Sequence, residues 1–127
     1  MTPNQFRRIA LSLPGASEGA HMGTADFRVG NRIFATLGNP DAASGVVGLA
    51  PDQQALLIAT APKVLSPVPG GWGARGWTRV RLAAADAATL ESALTMAWQN
   101  RTPKKLLAGR ARPATKAKTS RKSSGDQ

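Results

Sequence analysis

From Ala108 to Gln127 the chain holds no Leu, Ile, Val or Phe. A segment without large apolar side chains cannot bury enough surface to offset its chain entropy. The fold must therefore be made by residues 1–107, and residues 108–127 are expected to form a disordered tail. About 100 residues make one domain and leave no room for a second. With three Trp, three Phe and no Tyr, the core has to be built mainly from Leu, Val, Ile and Ala. There is no Cys, which excludes disulfides, thiolate metal sites and cysteine nucleophiles. No apolar run reaches the roughly 18 residues of a membrane span. Arg7 and Arg8 interrupt the N-terminal segment, unlike a signal peptide, so a cytoplasmic location and no membrane contact are expected.

The charge divides near the same place. Of 17 Lys and Arg against 7 Asp and Glu, a net of +10, residues 1–100 carry 8 and 6, whereas residues 101–127 carry 9 and 1. A nearly neutral body thus precedes a cationic arm made of Lys104, Lys105, Arg110, Arg112, Lys116, Lys118, Arg121 and Lys122. Each cation that neutralises a phosphate releases a condensed counterion, so such an arm attracts polyanions whatever their sequence. DNA is the expected partner. The plain alternative is that the arm only aids solubility.

Within the body, Thr2-Pro3 reads as a helix cap followed by proline at the first helical position, and Phe6, Ile9, Ala10 and Leu13 follow at helical spacing. Pro14-Gly15 ends this helix, and Ala16 to Thr24 reads as a loop. Asp26–Val29 and Arg32–Leu37 flank Gly30-Asn31 as a hairpin. A two-residue turn sets Val29 opposite Arg32 and groups Phe27, Val29 and Phe34. A three-residue turn sets Val29 opposite Ile33 and groups Phe27, Ile33, Ala35 and Leu37, and this second register is the one expected. Val46–Leu49 is a third strand. Pro51 opens a helix that buries Leu56, Leu57 and Ala61, with Asp52 in its first turn. Lys63–Ser66 is a short strand, Pro67–Gly76 a loop, and Thr78–Leu82 an alternating strand. Asp86 caps a last helix with the stripe Leu90, Ala93, Leu94, Ala97 and Trp98, which frays after Asn100. Short connections between these strands predict an antiparallel sheet with helices on one face: a two-layer α+β domain of order α-β3-α-β2-α.

Two blocks go beyond pattern. His21-Met22-Gly23 leads into Asp26–Val29 and Ile33–Leu37, and Gly70-Gly71-Trp72-Gly73 leads into Gly76–Leu82. With Phe6–Gly15 and the Pro51–Gln54 helix start, they resemble the YjbR/MmcQ family of small bacterial proteins over about residues 4–107. The resemblance implies an α-β3-α-β2-α fold similar to type III secretion chaperones and frataxin-like sheets. It also implies a DNA-binding-like, double-wing surface and brings no catalytic residues. The basic tail departs from the family pattern.

Trp77, Arg79 and Arg81 alternate with Thr78, Val80 and Leu82, so they share one face of their strand. An indole that can stack on a base and guanidiniums that can bond phosphate suit nucleic acid. The plain alternative is a solvated face with Arg stems lying over Trp. Arg28 and Arg32 join this face or leave it according to the hairpin register. The stretch Gly70–Gly76, with Trp72 and Arg75, is a candidate wing, or else a crossover whose Trp72 plugs the edge of the core. It is no P-loop, since no Gly-Lys-Ser/Thr follows.

His21 has no clustered partners for a metal site, no Ser lies in a nucleophile elbow, and no carboxylate pair is set for acid–base work. A monomeric, non-enzymatic DNA-binding protein without cofactor or metal is expected. A chaperone-like module for a protein partner is the alternative, and a small-anion site at Arg75 a third.

Overall fold

The computed structural model describes residues 1–21, 24–38 and 41–103, without the side chain of His21. The expectation of disorder for 108–127, and the cations Lys104 to Lys122, lie outside the described residues.

Helix α1 (Pro3–Ser12) starts as its sequence requires: Thr2 Oγ1 accepts from the Gln5 amide at 3.1 Å, and Gln5 Oε1 accepts from the Thr2 amide at 2.7 Å. This reciprocal cap satisfies two otherwise orphaned donors. Phe6 and Ala10 are buried.

Four strands then run as an antiparallel meander: β1 (Ser17–His21), β2 (Thr24–Val29), β3 (Arg32–Leu37) and β4 (Ser44–Gly48). β1 replaces the expected loop. Its Ser-Glu-Gly-Ala-His sequence has no apolar alternation, and it is held by the ladder to β2, from Ser17 opposite Arg28 to His21 opposite Thr24. Arg7 of α1 also donates to Glu18 at 2.9 Å.

The β2–β3 turn corrects the expected register. Gly30 and Asn31 both have positive φ, 56° and 65°, the geometry of a two-residue turn that follows strand twist. Val29 accordingly faces Arg32. A bulge then inserts Phe34, so that Phe27 faces Ala35. Phe27, Val29, Phe34, Ala35 and Leu37 are all buried, because a bulge turns two successive side chains to one side. Ile33 goes to the opposite face.

α2 (Pro51–Thr60) starts at Pro51 as expected but lies at the edge of the helical layer. Leu56, expected in the core, is 61% exposed, and Leu57 and Ala61 are half-buried. β5 (Leu65–Pro67), the short helix α3 (Gly71–Ala74) and β6 (Trp77–Arg81) follow, so the expected Pro67–Gly76 loop contains a helical turn. A Cβ at Gly73 would run into the Val68 carbonyl, and only glycine lets α3 lie this close to the end of β5.

After a 3-10 turn (Leu82–Ala84), α4 (Ala87–Arg101) buries the whole stripe Leu90, Ala93, Leu94, Ala97 and Trp98. Trp98 Nε1 donates to the Pro14 carbonyl at 2.8 Å, joining the end of α4 to the end of α1.

The six strands form one antiparallel sheet in the order β1-β2-β3-β4-β6-β5. α1 and α4 pack on its face from β3 to β4. The result is the expected α+β architecture with one additional strand and one additional short helix.

Candidate nucleic-acid interface

The alternation read from β6 is present. Thr78 and Val80 are buried toward the helices, while Trp77, Arg79 and Arg81 stand on the other face, opposite Gly48, Val46 and Ser44 of β4. Gly48 makes room for the indole, since a Cβ there would lie 3.0 Å from the Trp77 ring.

Trp77 is the centre of a ladder of rings and cations. The Arg101 guanidinium, from the last turn of α4, lies 5.3 Å from one Trp77 ring centroid, and its Nε donates to the Ile33 carbonyl at 3.3 Å. Trp72 meets Trp77 nearly edge-on, 5.9 Å between centroids at 73°, the arrangement that ring quadrupoles favour. Arg75 in turn lies 5.7 Å from the Trp72 ring, within cation–π range. Trp72 is 59% exposed, so it does not plug the edge of the core.

The two indoles, with Ile33, Thr36, Val46 and Val68, enclose a groove of about 310 Å³ on the open face of the sheet. Gln54 of α2 fixes the α3 side of it, donating to the carbonyls of Gly73 and Trp77 at 3.0 and 3.1 Å and to Thr78 Oγ1 at 3.2 Å.

The remaining cations differ in freedom. Arg79, beside Val46, bonds Ser44 Oγ at 3.4 Å and lies 3.9 Å from Asp41, a loose pair in solvent. Arg81 is exposed at the end of β6. Arg28 also stands on the open face, where it donates twice to the buried Asp26, at 2.9 and 3.2 Å. That hydrogen bond and the carboxylate charge raise the Arg28 guanidinium above its ordinary pKa. Much of its charge is thereby matched inside the protein.

Arg32 is exposed beside the turn and pairs with Val29, on the side opposite Arg28 and Ile33. The structure therefore groups Trp72, Arg75, Trp77, Arg79 and Arg81, places Arg28 on the same face but with β3 and β4 between it and β6, and leaves Arg32 out. Lys104, Lys105 and the other tail cations lie outside the described residues. Arg101, Ile33 and Thr36 were not foreseen. A cation in the last helical turn is a helix-dipole signal, and nothing local places it on Trp77.

Among the described residues there is no group of three or more His, Cys, Asp or Glu that could hold a metal ion, and no helix is long and apolar enough to cross a membrane.

The fold is similar to the crystal structure of a Deinococcus radiodurans protein with a DUF419 domain. The TM-score is 0.66 at 20% identity, over 82% of this chain and 80% of that one, a likeness of fold. No curated protein matches. A family model described as YjbR matches residues 11–100, which takes in the sheet, the Trp72–Trp77 pair and nearly all of α4. The chain belongs to the YjbR family.

Proposed function

We propose that this protein binds DNA, with little sequence preference, through the open face of its sheet. The observation that carries the reading is the Arg75–Trp72–Trp77–Arg101 ladder beside the guanidiniums of Arg81, exposed at the end of β6, and Arg79, only loosely paired with Asp41. Guanidiniums bond phosphate oxygens and fix a strand in place, and an exposed indole stacks on any base. Of the carboxylates that meet these cations, Asp26 is buried against Arg28 and Asp41 is 3.9 Å from Arg79, so the surface remains cationic. In sequence, the C-terminal arm adds eight further Lys and Arg between Lys104 and Lys122. The described chain ends at Pro103, whose ring fills the space beside Gly30 at the β2–β3 turn, close to Arg101. Binding of this kind needs no catalytic step, no cofactor and no second subunit.

Fluorescence anisotropy of labelled DNA with the full chain, over a salt series, tests it. If six to eight cations touch phosphates, affinity falls by about 10³–10⁵ between 50 and 200 mM salt. The double substitution Arg79→Glu/Arg81→Glu is expected to weaken binding and flatten the salt slope. Wild-type binding by that variant would remove the sheet face from the proposal. The aliphatic floor of the groove, Ile33, Val46 and Val68, favours a second reading in which the face holds an apolar segment of a protein partner.

A further inference from the structure

We infer that the groove receives one unpaired base, so that the face selects single-stranded over duplex nucleic acid; this rests on the DNA-binding reading above. The groove measures about 310 Å³, at the lower end of the roughly 300–1,000 Å³ of small-molecule sites. That is room for one planar ring system.

Its walls have the matching chemistry. Trp72 and Trp77 meet at 73°, so they form a corner of two π surfaces, while Ile33, Val46 and Val68 give an aliphatic floor. Thr36 supplies the hydroxyl among the lining residues, able to donate to or accept from a base edge. Arg79 stands opposite Val46 on the adjacent strand, and Arg75 stands over Trp72. A base in the groove therefore leaves its flanking phosphates between guanidiniums.

A base inside a duplex is stacked on both faces and paired at its edge, and it enters such a corner only after leaving the helix. The long-range pull of the cationic arm is stronger on the denser charge of a duplex. A preference for the single strand is therefore a property of the groove.

The test uses the full chain and three probes with equal numbers of phosphates: a thymine oligonucleotide, the same strand made abasic, and a duplex. Binding is followed by anisotropy and by tryptophan emission. The thymine strand is expected to bind about ten-fold or more tighter than the other two and to quench emission, one stacked base being enough for this. Trp72→Ala, at an exposed position that leaves the core untouched, is expected to bring the three affinities together. Trp72→Phe restores most of the difference.

Equal binding of all three probes by the wild-type protein overturns the inference and leaves the DNA-binding reading standing. Loss of salt-dependent binding to every probe removes both.

Discussion

Adding one methyl group at Gly45 is expected to destabilise the protein by about 2 kcal/mol, because its place in the core is already taken. A Cβ on Gly45 of β4 would lie 2.5 Å from Phe6 Cε2, 2.9 Å from Cζ and 3.2 Å from Cδ2. The ring has no easy retreat, since Phe6 is fully buried and rests on Phe27 with centroids 5.8 Å apart. Overpacking of this kind costs roughly 1–3 kcal/mol. Alanine in place of a strand glycine otherwise gains about 0.5–1 kcal/mol, so the clash wins at the upper end of its range and the net is near 2. For a domain of about 100 residues that is a fall in Tm of roughly 8–16 °C.

Phe6→Leu removes the ring atoms at fault and costs about 1–2 kcal/mol by itself through lost burial. The double variant is then expected to be more stable than the sum predicts by about 1–2 kcal/mol, because the new methyl group occupies vacated space. Urea unfolding of the four proteins measures each term. Gly71→Ala is the control, since nothing lies within 4 Å of its Cβ position. Gly45→Ala as stable as wild type, or additivity of the pair to within about 0.5 kcal/mol, would refute the packing described.

Two further substitutions probe the helices. The Asp86 carboxylate accepts from the Thr89 amide at 2.7 Å, and this bond holds its pKa below the ordinary value. Its folded pKa is thus the lower one, so its stabilisation is present above the unfolded value of about 3.9 and is lost as pH falls through the folded value. Far-UV dichroism is expected to show α4 weakening on acidification below about pH 4 in the wild type and less so in Asp86→Asn; parallel pH curves would contradict this. Gln54→Leu leaves the carbonyls of Gly73 and Trp77 without their side-chain donor, for a cost of about 1–3 kcal/mol. Tryptophan emission is expected to change before the global transition as α3 loosens, and a single coincident transition would argue against that tether.

Much of this structure is legible in local chemistry. Thr2-Pro3-Asn4-Gln5 states its own cap, Asp86 and the Leu90–Trp98 stripe state theirs, and the alternation of β6 places Trp77, Arg79 and Arg81 together without any tertiary information. The features that escape are those whose cause lies elsewhere in the chain. β1 is a strand because β2 offers it a ladder of main-chain groups, to which Ser, Gly and Ala contribute no pattern. Both turn registers satisfy the alternation around Gly30-Asn31, and the positive φ at both residues together with the bulge at Phe34 decides between them. The groove is harder still to foresee. It joins Ile33 and Thr36 of one hairpin to Trp72 and Trp77 some 40 positions later, and Arg101 reaches Trp77 from the far end of α4.

The strand order also sets a sequence of assembly. β1, β2 and β3 each pair with the next strand along the chain, whereas β6 returns to β4 only after α2, β5 and α3 have intervened. Loop-closure entropy favours the short-range hairpins and slows the long return. All three tryptophans, Trp72, Trp77 and Trp98, belong to this second half. Stopped-flow refolding followed by tryptophan emission therefore reports the docking of β6 and α4 and is blind to the meander, whose formation has to be timed by amide exchange.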